Sequence, residues 1–176
     1  MDTGDHEIEV PLRSGAPSGA DGTGATDPLA LLNIVGLDEL SKPVPPMTFV
    51  VDQLLPSDSV VVVAGPAGAQ KSWLALEACV SVGAGDSCMG RFRSELGFAL
   101  YMNFEAGRHA VRRRFHKLVA ARGYWPPNIL FAELPDAGPA DPSFLTALKA
   151  VMDRYQPKLV AVDTYRASMP GIDEND

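Results

Sequence analysis

The sequence predicts a three-layer α/β/α domain on a mostly parallel sheet. Two observations carry that expectation. Short apolar runs alternate with helical periodicities from about residue 47 onward, and one strand-to-helix junction is a glycine-rich segment ending in Lys-Ser. Strand, helix and strand in succession imply parallel pairing through right-handed crossovers. A length of 176 residues suits one such domain and leaves little room for a second.

The elements follow in order. Residues 1–46 hold Asp2, Asp5, Glu7, Glu9, Asp21, Asp27, Asp38 and Glu39 against only Arg13 and Lys42, and include SGAPSGADGTGATDP. That composition buries too little apolar surface to offset the entropy of ordering it, so residues 1–27 read as a disordered tail. DPLALLNIVGLDELSK can form a short helix, which KPVPP ends. The acidic Gly/Pro/Ser-rich region is therefore set at residues 1–43 and the folded domain at 44–176.

SVVVVAG (59–65) is a β-branched run and reads as a fully buried strand. KSWLALEACVSVGAG follows as a mostly apolar helix that stops at Gly83 or Gly85. FALYMNF (98–104) is a second buried strand. Residues 106–122 form an amphipathic helix with Ala110, Val111, Phe115, Leu118 and Val119 on one side and Gly123 closing it. NILFAEL (128–134) is a third strand. DPSFLTALKAVMDRYQP has Asp141 as N-cap, Pro142 at the first helical position, a stripe from Phe144 to Tyr155, and Pro157 as the stop. KLVAVD (158–163) is the fourth strand.

Composition excludes several classes. Hydrophobic residues make up 46%, too many for a wholly disordered chain. No apolar stretch approaches the ~20 residues that span a bilayer, since Asp52 and Pro56 break the best candidate. The N-terminus lacks the basic flank and apolar core of a secretory signal. Cys79 and Cys88 are too few for a disulfide framework, so a reducing cytoplasm is the default compartment. His6, His109 and His116 have no zinc-like spacing with them. The formal charge of -7 argues against a broadly basic nucleic-acid coat but not against a local basic strip.

The segment Gly65-Pro66-Ala67-Gly68-Ala69-Gln70-Lys71-Ser72 carries the most information. Between a strand and a helix, a glycine-rich turn lets backbone N–H groups converge on a phosphate at the positive end of the helix dipole. Lys71 then reaches the β- and γ-phosphates of a nucleotide such as ATP, and the Ser72 hydroxyl coordinates Mg²⁺. Trp73 closes the stretch assigned to nucleotide binding and is expected to pack into the core behind the loop. Gln70 stands where such loops usually have Gly; if the loop needs a positive φ there, Gln costs of order 1 kcal/mol. The alternative is an ordinary Gly/Pro turn.

Two carboxylates end neighbouring strands. Asp163 closes LVAV and fits a metal-holding role through water, the alternative being a cap for the next turn. Glu105 follows FALYMNF, where a carboxylate can orient and deprotonate the water attacking the γ-phosphate. Its other reading is a helix N-terminal residue favoured by the macrodipole. Arg108, His109, Arg112, Arg113, Arg114, His116 and Lys117 make the main basic concentration, facing DNA phosphates, a neighbouring subunit's nucleotide, or simply solvent. Trp125 beside Pro126-Pro127 reads as a loop anchor.

The runs AGPAGAQKSWLALEACVSVGAG, FALYMNFEAGRHAVRRRF and PKLVAVDTYRASMPGIDEND resemble the RepA-like, hexameric replicative helicase branch of the RecA-type P-loop ATPases, over about residues 44–176. The resemblance implies a RecA-like core that binds and hydrolyses ATP with Mg²⁺, in a homo-oligomeric ring that moves on single-stranded DNA. It places Lys71 and Ser72 at the Walker A pair, Glu105 at the catalytic glutamate and Asp163 at the Walker B aspartate. Relatives continue past that strand with a sensor strand, DNA-facing loops and an arginine finger. The resemblance therefore implies an N-terminal piece of a longer ATPase, or a truncated coding sequence, with the C-terminal strands missing and weak or absent turnover by these residues alone. Two further alternatives stand beside the helicase: a nucleotide-binding regulatory module that hydrolyses poorly, and a fragment whose loop binds nothing.

Overall fold

The computed structural model describes residues 35–168. The expected tail over 1–27 lies outside them. The chain divides into two units, Met1–Val44 and Pro45–Asp176. In the first, the described element is a single-turn helix, α1 (Leu37–Leu40).

The second unit is built on three parallel strands. Its elements are β1 (Phe49–Val51), β2 (Leu55–Pro56), α2 (Lys71–Ala84), β3 (Ser87–Cys88), β4 (Phe92–Arg93), β5 (Ala99–Asn103), α3 (Arg108–Arg122), β6 (Ile129–Glu133), α4 (Pro142–Tyr155), β7 (Leu159–Asp163) and α5 (Tyr165–Ser168). The sheet order is β6-β5-β7. β5 is central because all five of its residues are buried, and a strand covered on both faces needs an uninterrupted apolar run. Its register sets Asn103 opposite Glu133 on one side and Asp163 on the other, so three polar residues end the strands at one level.

Alternation along β5 separates the layers. Ala99 and Tyr101 join a core with Leu76, Cys79 and Val80 of α2 and Val111, Phe115 and Val119 of α3. On the opposite parity, Phe98 and Phe104 flank the buried Leu100 and Met102 and meet Tyr155 and Phe144 of α4, with ring centroids 5.3 and 6.0 Å apart. This is the three-layer α/β arrangement of a RecA-like core. Fully burying a side chain such as Leu76 or Val80 contributes about 1.5–3 kcal/mol.

The helices end where their sequences dictate. Gly85 (φ 70°) and Gly123 (φ 77°) adopt the left-handed conformation that terminates α2 and α3. Asp141 caps α4 by accepting the Ser143 N–H at 2.8 Å, with Pro142 opening the helix. Gly83 serves closeness instead: a Cβ there would lie 3.1 Å from the Asn128 carbonyl oxygen.

An ion cluster fastens α2 to α3. The Arg122 guanidinium donates to Glu77 at 2.6 Å, to Ser81 at 3.0 Å and to Asp86 at 3.0 Å. Burial works against its charge, yet the Glu77 and Asp86 carboxylates outweigh that and hold Arg122 above its ordinary value. Tyr124 also donates to Asp86.

Two expectations are corrected. Residues 59–65 do not form a buried strand: they carry no strand hydrogen bonding, and Val60 and Val62 are 94% and 83% exposed. A β-branched run favours extended backbone, but a strand exists only where a neighbour supplies its ladder. Among the described residues none pairs with this run, and β7 pairs with β5 alone. Trp73 is half-buried and stands outside the main core cluster. As the third residue of α2 it lies beside the exposed loop, while burial begins a turn later at Leu76. The hairpins β1-β2 and β3-β4, antiparallel pairs of two or three residues a strand, went unread because so short a run has no periodicity to detect.

Candidate functional site

The site gathers at the carboxyl ends of the parallel strands, where open α/β sheets place their ligands. The loop at 65–70 is exposed throughout and turns into α2 by two left-handed residues, Gly68 (φ 81°) and Gln70 (φ 62°, ψ 21°). Gly68 adopts this at little cost, and a Cβ on it would meet open space. Gln70 does not have that freedom, so the condition under which it costs free energy is met.

Lys71 folds back over the loop. Its ammonium donates to the carbonyls of Gly65 at 2.7 Å and Pro66 at 2.9 Å. The next residue reaches the sheet: Ser72 Oγ donates to Asp163 Oδ1 at 3.0 Å. Asp163 is 6% exposed at the end of β7. Its second oxygen accepts from the hydroxyl of the fully buried Tyr101. Burial and that hydrogen bond push the Tyr101 phenol well above its ordinary range, so it stays a donor.

Asp163 therefore sits buried with two neutral donors and, among the described residues, no ion pair. The Ser72 hydroxyl and the Asp163 carboxylate are hard oxygen donors of the kind Mg²⁺ takes, beside the N-terminus of a helix. The donor set fits that ion.

Glu105 lies just beyond β5. Asn103, buried, clasps the turn by accepting the Ala106 N–H at 3.0 Å and donating to the Ala106 carbonyl at 2.5 Å. That clasp presents Glu105 to solvent, where Thr164 Oγ1 donates to its Oε2 at 2.9 Å. Thr164 follows Asp163 directly, so the carboxylates that close β5 and β7 share one corner.

Lys71, Ser72, Asp163 and Glu105 thus belong to one neighbourhood, linked through the loop and Thr164. Trp73 continues the helix from it. Tyr101, Asn103 and Thr164 were not singled out from the sequence. Tyr101 left a signal: a phenol in an otherwise apolar buried strand needs an acceptor, and Asp163 is set across the register.

No described helix is long and apolar enough to cross a membrane. No curated protein matches the sequence. A family model described as AAA domain matches residues 25–176, most of the chain. That match shows that the chain belongs to the AAA domain family of P-loop ATPases.

Proposed function

We propose that this chain is the ATP-binding and Mg²⁺-dependent ATP-hydrolysing domain of a RepA-type DNA helicase or replication ATPase. The observation that carries the reading is the contact of Ser72 with the buried Asp163, with Lys71 folded over Gly65 and Pro66 beside it.

The roles follow from chemistry. The loop backbone from Gly65 to Gln70 presents N–H groups to the phosphates, at the positive end of α2. Lys71 would exchange its loop carbonyls for phosphate oxygens. Ser72, and Asp163 through water, would hold Mg²⁺, which when bound would neutralise phosphate charge. Glu105, exposed and steadied by Thr164, orients the attacking water and takes its proton. In this reading the working form is a cytoplasmic homo-oligomeric ring with single-stranded DNA as partner, supported by the resemblance of the three motif runs.

Titration with ATP and Mg²⁺ against Lys71→Ala tests the core of it. Losing a charged hydrogen-bond donor costs about 1.5–3 kcal/mol, so affinity should fall more than tenfold. Equal affinity of the two proteins would overturn the reading. Gln70 in a left-handed conformation beside Lys71 favours a second one, a nucleotide-dependent switch that hydrolyses poorly. ATP turnover that DNA stimulates supports the helicase, and binding with unstimulated, slow turnover supports the switch.

A further inference from the structure

The basic face of α3 is not absorbed by the nucleotide site. This helix carries five arginines and one lysine with no acidic residue, in a chain whose formal charge is -7. Val111, Phe115 and Val119 turn inward. Outward stand two rows at i, i+4 spacing: Arg108, Arg112 and His116, then His109, Arg113 and Lys117, all six exposed. Arg112 pairs with Glu133 through two hydrogen bonds of 2.8 Å. Arg108, Arg113 and Lys117 have no ion pair among the described residues.

An aromatic cluster adjoins these rows. Trp125 is 62% exposed, its ring edge-on to Phe115 at 5.5 Å and to His116 at 5.3 Å. Together with Phe131, Arg112 and Glu133 these rings line an open pocket of about 510 Å³. What sets this face apart is the juxtaposition of one charge sign along two rows with an exposed indole that lines a pocket.

We propose that this surface binds single-stranded nucleic acid, with phosphates along the two basic rows and an unstacked base against Trp125. The chemistry selects that class. Unpaired cations attract a polyanion and release its counterions, and an exposed aromatic pocket takes a planar ring. A duplex offers the first feature but keeps its base faces stacked. An acidic peptide has no regular succession of anion and planar ring to match both features at once, and polyglutamate offers the charge alone. The proposal rests on the helicase reading for the presence of a strand, but it places this contact on α3, apart from the nucleotide loop, so the two can fail independently.

The test is fluorescence anisotropy of the full chain with fluorescein-labelled dT20 and rU20, with a 20-base-pair duplex and polyglutamate as competitors. Either strand should bind, and which binds tighter separates DNA from RNA. Trp125→Ala should weaken binding about tenfold while ATP affinity stays as in wild type. Since Trp125 packs on Phe115, the exposed pair Arg113→Ala/Lys117→Ala is the second probe, and it should reduce the slope of log affinity against log salt by about 1.4. Absence of binding to both strands, equal competition by duplex or polyglutamate, or unchanged affinity and salt slope in both variants would overturn the proposal, whatever ATP does.

Discussion

Gln70 offers the sharpest test of how the phosphate loop is held. Its φ of 62° costs an L-residue about 1–2 kcal/mol that glycine avoids. Against that, glycine loses about 0.5–1 kcal/mol more backbone entropy on folding. The Gln70 side chain is exposed and makes no cap hydrogen bond to the helix, so little else is lost with it. Gln70→Gly should therefore stabilise the domain by about 0.5–1 kcal/mol, a rise of about 1–4 °C in Tm for a chain of this size. Gln70→Val should move the other way, because a β-branched residue tolerates positive φ worst. Thermal unfolding of the three proteins reads the order directly. The Gln70 side chain is exposed and the glycine variant keeps the backbone N–H, so nucleotide affinity should change by less than about threefold. Valine as stable as glycine would refute the reasoning, since it would mean the loop carries no conformational cost at this position.

Three further outcomes are expected. Glu105→Gln should lower ATP turnover by about 10²–10⁴ with binding retained, measured by phosphate release; a loss under threefold would remove Glu105 from the chemistry. Arg122→Ala strands Glu77 and Asp86, and discounting the usual 3–5 kcal/mol of a broken buried pair for partial exposure gives a loss of about 2–3 kcal/mol in urea unfolding. Less than 1 kcal/mol there would mean solvent already screens the cluster. Hydrogen bonds from Ser143, its hydroxyl first and then its backbone N–H, hold the Asp141 carboxyl below its usual range. A depressed carboxylate stabilises above its unfolded pKa and loses that effect on acidification, so the stability gap between wild type and Asp141→Ala should be level above about pH 5 and close below about pH 4. A gap that persists to pH 2 would contradict the capping account.

Much of this was legible beforehand because it is local. The spacing of Val111, Phe115 and Val119, the stops at Gly85 and Gly123 and the cap at Asp141 each depend on residues within a turn or two, and each appears as read. The run 59–65 misled because β-branching reports a preference, while a ladder partner is a property of the whole sheet. Trp73 misled for a related reason: hydrophobicity does not say which turn of α2 meets the sheet. For the candidate site, the residue types at Lys71, Ser72, Glu105 and Asp163 were readable from motif and strand position. The contacts that join them were not. Thr164 and Glu105 are 59 positions apart and Ser72 and Asp163 are 91 apart. The Arg122 cluster was hidden in the same way, its partners lying 36 to 45 positions distant.

The two hydroxyls on Asp163 tie ligand chemistry to mechanics. One carboxylate both pins the start of α2 to the sheet, through Ser72, and is anchored to the central strand, through Tyr101. A ligand that draws on Oδ1 therefore meets, at one carboxylate, both the fastening of α2 and the anchor to the central strand. Replacing Asp163 would accordingly loosen the grip of one layer of the domain on the next as well as remove a donor from the candidate site.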